Sequence, residues 1–224
     1  MNSRREQNRV RQRSRIMAAA RDQFSAAGFD AVTVSDVAEA AGVARATVFN
    51  HFGSKRGLVD ALIADVLRTY HSMLGVALAD TTTPTPTLIL ALFEQMGVGI
   101  EADRRFFRGV FQGMAMTQVG IDEDGAAHHQ TEASQRRLTE LIERGQQRGD
   151  LTSAQPSEVL AVAVNILANG TITRWLYDDA AESLAGRMRS AALVLLEPVA
   201  AGPVDTDGVR PVLVPPEDTI VGTP

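Results

Sequence analysis

The chain has no cysteine in its 224 residues, which excludes disulfides and thiolate metal sites. Lysine is nearly absent, Lys55 being the only one. No apolar run reaches the length of a membrane span. The opening MNSRREQNRVRQRSR has no apolar segment of the kind a secretory signal carries. There is no P-loop, no G-x-S-x-G and no H-E-x-x-H, so the familiar signatures of nucleotide-dependent, hydrolytic and zinc-peptidase chemistry are missing. His128 and His129 are adjacent; on a helix they point about 100° apart and make a poor metal pair. No cofactor, metal or catalytic residue is therefore expected. No strand-like alternation competes with the helical periodicity, so the expectation is an all-α, cytoplasmic protein that is not an enzyme.

What is present is a divided charge. The net of −5 argues against a nucleic-acid partner only when taken whole. Residues 1–56 carry ten Lys or Arg against five Asp or Glu, whereas 57–224 carry twelve against twenty-two. A basic head on an acidic body is the footprint of a polyanion partner at one end. With 45% hydrophobic residues, the chain can bury a globular core as one large domain or two modest ones.

The chain is organised around TVSDVAEAAGVARATVFNHFGSK, from Thr33 to Lys55. Val34, Val37, Ala38 and Ala41 supply one apolar face, and Val43, Val48, Phe49 and Phe52 supply the next. Gly42, between them, suits the left-handed backbone of a tight turn. Thr33 and Asp36 have the spacing of a capping pair. This is a helix-turn-helix pattern, with Ala44 to Asn50 as the helix that enters the major groove. On that helix Arg45 can read guanine through a bidentate hydrogen bond, and Thr47 can meet a phosphate or a thymine methyl. Asn50 can read adenine or bind phosphate.

Around this centre, 1–14 reads as a basic flexible arm with five arginines, and 15–56 as the DNA-binding domain. The first helix is expected from Ile16 to Ala27 and stops at Gly28. A linking helix begins after Ser54, and TTTPTPT at 81–87 reads as a connection. The body, 57–199, reads as helices near 88–100, 104–116, 126–148, 157–178 and 182–196. From Pro198 on lie six of the nine prolines, so 200–224 reads as a disordered tail.

With its flanks, RIMAAARDQFSAAGFDAVTVSDVA before and GVARATVFNHFGSKRGLV after, this stretch resembles the TetR family of transcriptional regulators. The resemblance covers about residues 12 to 62 and rests on Phe24-x-x-x-Gly28-Phe29, the Thr33 cap, the Gly42-Val43 turn and Phe52-x-Ser54-Lys55. It implies a three-helix DNA-binding head joined by a linking helix to a ligand-binding and dimerising body. Thr33, His51 and Lys55 would then clamp the DNA backbone around Arg45, Thr47, Phe49 and Asn50. An effector pocket between the middle helices would draw on Phe93, Met96, Phe107, Phe111, Met114, Asn169 and Trp175. The partners implied are a double-stranded operator, a small and largely apolar effector, and a second copy through 157–178 and 182–196. Leu184, Met188, Ala191 and Leu195 have the spacing of a seam for that dimer.

Three positions depart from the family pattern. Phe49 replaces a common tyrosine, Ala44 replaces a serine cap worth about 1 kcal/mol, and Gly57 sits in the first turn of the linking helix, at about 1 kcal/mol against alanine if interior. The resulting expectation is a repressor released by its ligand. The alternatives are an activator or ligand-independent DNA-binding protein and, from other classes, an enzyme or a non-specific architectural protein.

Overall fold

The computed structural model describes residues 4–117, 126–178, 182–206 and 212–213, the side chains of 112–117 and 126–128 aside. Among the described residues there are nine helices and no strand, only one antiparallel bridge between Leu151 and Ala200. The helices are α1 (Arg4–Ala27), α2 (Val34–Ala40), α3 (Arg45–Phe52), α4 (Lys55–Ala79), α5 (Thr85–Glu101), α6 (Arg104–Thr117), α7 (Ala126–Arg148), α8 (Ser157–Tyr177) and α9 (Leu184–Leu196). They fall into two compact units: Met1–Val66 with Asp103–His129, and Leu67–Ala102 with Gln130–Pro215. The boundaries lie within α4, between α5 and α6, and within α7.

In the first unit, Ile16, Ala20, Phe24, Val37, Val48, Leu58 and Leu62 are buried, as the helical periods require. The fold differs from the sequence reading at its start. Residues 4–14, expected as part of a flexible arm, form the first turns of α1 and are exposed. No residue before Ile16 is apolar on the inward side, yet Arg and Gln are good helix formers and extend a helix nucleated by its packed half. Helix α6, expected in the body, packs with α1 in this unit. Asp103, just before it, accepts from Ser25 Oγ at 2.9 Å and pairs with Arg21 at 3.5 Å. The Arg21 guanidinium lies 4.5 Å from the centre of the Phe106 ring.

In the second unit, α5 and α9 approach so closely that a Cβ on Gly97 would stand 2.6 Å from Ala185 Cα. Glu101 caps α9, its carboxylate accepting from Ser183 Oγ at 2.9 Å and Leu184 N at 3.1 Å. Thr85, Pro86 and Thr87 are not connection but the buried first turn of α5, where proline needs no N–H partner. The loop before them is tied by Asp80, which accepts from the backbone and hydroxyls of Thr82 and Thr83. Part of the expected loose tail is docked: Leu213 is buried and its N–H donates to Gln95 Oε1 at 2.8 Å, while Arg189 donates to the Thr206 carbonyl at 2.6 Å.

The seam expected at Leu184, Met188, Ala191 and Leu195 is misplaced. Leu184 and Met188 are fully buried inside the unit with Ala192 and Leu196. The outward row of α9 is instead Gly186, Ser190 and Val194, the last 74% exposed. Helix α8 carries a matching row of Val159, Val162, Ile166, Asn169, Gly170 and Thr173, with Ile166 67% exposed. By length and hydropathy α8 also passes as a membrane span, 39% of its apolar window being buried. The reading that no run reaches that length was too strict, because Asn165, Asn169 and Thr173 hide the apolar average; one such helix is weak evidence for a membrane.

Candidate nucleic-acid interface

Thr33 starts α2 with both halves of a capping box. Its hydroxyl accepts from Asp36 N at 3.2 Å, and Thr33 N donates to the Asp36 carboxylate at 2.7 Å. The backbone hydrogen bond from Thr33, then its hydroxyl, holds the Asp36 carboxyl below its ordinary pKa. Gly42 has φ of 62°, which lets Val43 N donate back to the Ala38 carbonyl at 3.0 Å and turns the chain into α3. Arg15 of α1 grips the same turn, donating to the Ala41 carbonyl at 2.6 Å. Ala44 is the N-cap of α3 and makes no side-chain cap bond, as its missing hydroxyl dictates.

Val48 anchors α3 inward, leaving Arg45, Ala46, Phe49 and Asn50 exposed on one face. Arg45 lies 5.3 Å from the centre of the Phe49 ring one turn on, so the ring props the guanidinium on the outer face. Thr47 and His51 are half-buried beside that face. His51 is pressed below its ordinary pKa, first by burial and then by Arg9 and Arg13. Arg13 also lies 5.2 Å from the centre of the Phe52 ring. The helical start of α1 thus sets Arg9 and Arg13 beside the end of the recognition helix. The run of arginines is visible in the sequence; its placement is not, because it depends on how α1 crosses α3.

Lys55 is engaged within the unit. Its ammonium donates to the Phe29 carbonyl at 2.7 Å and sits 4.4 Å from the centre of the Phe29 ring, fastening the α1–α2 link to the start of α4. Two further hydrogens on that ammonium remain to serve a phosphate. Gly57, which looked like a weakness, has a reason: a Cβ there would lie 2.0 Å from the Phe52 carbonyl oxygen.

The effector candidates are divided between the units. Phe107 is buried in the first, edge-on to Phe106 at 5.3 Å, and Phe111 is half-buried on α6. The Met114 side chain lies outside the described residues. In the second unit Phe93 is buried, Met96 half-buried and Asn169 exposed. Trp175 is buried, its indole N–H donating to the Glu182 carbonyl at 2.8 Å. Two small cavities are described, each with room for about one water. One is lined by Phe24, Phe29, Val59, Leu62, Phe106 and Val110, the other by Ile89, Ile142, Leu160, Val164 and Leu195, so none of the six described candidates faces either. Among the described residues no group of histidines and carboxylates is placed to hold a metal ion.

A family model described as bacterial regulatory proteins, tetR family, matches residues 16–62. The chain is 28% identical over 174 residues to the HTH-type transcriptional regulator TtgR of Pseudomonas putida, covering 73% of this chain and 80% of that one. It is 43% identical over 53 residues to the HTH-type transcriptional regulator AlkX of Mycobacterium tuberculosis, covering 24% and 25% respectively. Among solved structures, FadR of Thermus thermophilus, a TetR-family repressor in complex with lauroyl-CoA, superposes with a TM-score of 0.61 at 20% identity, over 91% of this chain and 99% of that one.

Proposed function

We propose that the chain is a TetR-family transcriptional regulator rather than an enzyme, and that it acts as a cytoplasmic, homodimeric repressor released from a palindromic operator by a small molecule. The observation that carries the DNA-binding part is the exposed face of α3, with Arg45 propped on Phe49 beside Asn50 and flanked by Arg9 and Arg13. Arg45 and Asn50 read base edges, Thr47 and Phe49 pack against the groove wall, and Thr33, His51 and Lys55 hold phosphates. A neutral His51 suits this role because one ring N–H donates to a phosphate without a buried charge.

Two-fold pairing follows from the reach of one helix, which covers only a few base pairs. The outward rows of α8 and α9 support that pairing: Val159, Val162, Ile166 and Val194 are apolar, and Gly170, Gly186 and Ser190 are small enough for backbones to approach. The 15–56 head and 57–199 body divide the labour, with α4 belonging to both packing units and α6 fastened to α1. The FadR relative, crystallised with lauroyl-CoA, supports an effector for this chain as well. Such an effector acts only through its difference in affinity for the operator-competent and released arrangements.

Selection of bound duplexes from a random pool by the full chain tests the proposal. Enrichment of a palindrome with half-sites one helical turn apart is expected, bound by a species that sediments as a dimer. Ile166→Glu is expected to leave monomers that no longer select the full site. A pool that stays random after selection overturns the DNA-binding proposal, and an unaltered dimer in Ile166→Glu overturns the interface.

A further inference from the structure

Helix α7 is laced to α4 by arginines that donate to α4 carbonyls. Arg137 reaches His71 O at 2.8 Å, and Arg144 reaches Leu78 O at 2.7 Å. Beside the first of these ties, three buried side-chain atoms have no hydrogen-bond partner: His71 Nδ1, Gln130 Oε1 and Ser134 Oγ. Ser134 is only 3% exposed. Gln130 and Ser134 stand one turn apart on the same face of α7. His71 is brought to them by a hydrogen bond to the backbone of Ala133. Isolated orphans are scattered through most proteins, but a cluster on facing helices needs a cause, and a partner supplied from outside is one.

The chemistry of the missing partner can be read from what is unpaired. Burial, and then Arg137, press the His71 pKa down, so the imidazole is neutral. With its other nitrogen engaged by Ala133, Nδ1 presents a bare lone pair. Gln130 Oε1 is a second bare acceptor, and the Ser134 hydroxyl can donate or accept. The cluster therefore has a surplus of acceptors and lacks donors. Arg137 and Arg136 make the site electropositive, which disfavours an ammonium as the donor. Nearby Tyr70 donates to Asn165 Oδ1 at 3.2 Å, and Asn165 in turn to Gln135, so those groups are already engaged with one another. Leu74 and Leu138, about one turn on from His71 and Ser134 along the same helix faces, are buried and apolar.

We propose that His71, Gln130 and Ser134 form the polar end of the effector site, and that the effector is a neutral, hydroxyl-bearing molecule with an apolar skeleton. Its hydroxyl hydrogen is shared between His71 Nδ1 and Gln130 Oε1 as a three-centre bond, and its oxygen accepts from Ser134. This rests on the reading of the chain as ligand-responsive and adds the ligand class and the residues that sense it. Entry between α4 and α7 acts on two helices that both packing units share.

Calorimetric titration of the full chain with phenol and cyclohexanol, against toluene and benzylamine, tests the site. Phenol and cyclohexanol are expected to bind at least tenfold more tightly than toluene or benzylamine. Ser134→Ala and Gln130→Leu are each expected to weaken phenol about three- to tenfold while leaving toluene unchanged. Both replacements are good helix residues, and unchanged operator affinity without ligand verifies the fold of each variant. Equal phenol affinity in wild type and both variants overturns the proposal, as does toluene matching phenol or no binding of either hydroxyl compound. Operator release by a compound indifferent to both substitutions leaves the ligand-responsive reading standing and removes only this site.

Discussion

Gly57→Ala sets two effects of opposite sign against each other. On propensity alone, alanine in the first turns of α4 is better than glycine by about 1 kcal/mol. The structure reverses that preference. The new Cβ falls 2.0 Å from the Phe52 carbonyl oxygen and 3.2 Å from its carbon. Carbon and oxygen need more than about 3 Å, so that carbonyl must retreat by more than about 1 Å. It is backbone and accepts from Ser54 N at 2.8 Å, so no side-chain rotation relieves the overlap. Overpacking of this kind costs about 1–3 kcal/mol or more. The net expectation is a loss of up to about 2 kcal/mol, or up to roughly 8 °C in Tm for a chain of this length. Because the displaced carbonyl ends α3, the shift also moves His51 and Phe52, so operator affinity is expected to fall at least tenfold. Gly99→Ala is the control: Gly99 is exposed on α5 with nothing within 4 Å of its added Cβ, so only propensity acts and Tm should rise. Thermal melts and fluorescence anisotropy on a labelled operator measure both. A rise in Tm for Gly57→Ala matching that for Gly99→Ala refutes the reasoning.

Arg45→Ala is expected to cost about 1–3 kcal/mol on the selected operator and little on scrambled DNA, as measured by competition binding. Arg9→Ala with Arg13→Ala should weaken every duplex alike and lower the slope of log affinity against log salt by about two, in titrations across salt concentrations. The hydrogen bonds from Thr83 and then Thr82 hold the Asp80 carboxyl far below its ordinary pKa, so the carboxylate form stabilises the fold. That contribution is fully present above the unfolded value near about 4 and is lost as pH falls below it, so Asp80→Asn should flatten the acid limb of a Tm–pH profile. Ser134→Ala removes an unpaired buried hydroxyl and should raise stability by about 1 kcal/mol without ligand, seen as a Tm higher by about 2–4 °C.

The local arrangement of the head could be read directly from its residues. A capping pair at Thr33 and Asp36, a glycine at 42 and apolar residues at helical spacing are short-range signals, because each depends on neighbours within one or two turns. The helix count and the exposed face of α3 follow from the same signals. What lay beyond them required the packed chain. Leu184 and Met188 are as apolar as any dimer seam, and only the approach of α5, allowed by Gly97, shows that they face inward and Val194 outward. Phe107 has the composition of a body residue, yet Asp103, Arg21 and Phe106 bind its helix to α1. Arg9 and Arg13 read as an unstructured arm until α1 extends through them and sets them beside His51. Gly57 looks like a flaw on any propensity scale because the carbonyl it avoids belongs to a residue across a tight turn. The periodicity of a sequence states which residues are apolar together, and so determines the elements. Which face meets which neighbour, and which polar atoms are left without partners at His71, Gln130 and Ser134, is set by distances between segments far apart in the chain, which only the tertiary structure decides.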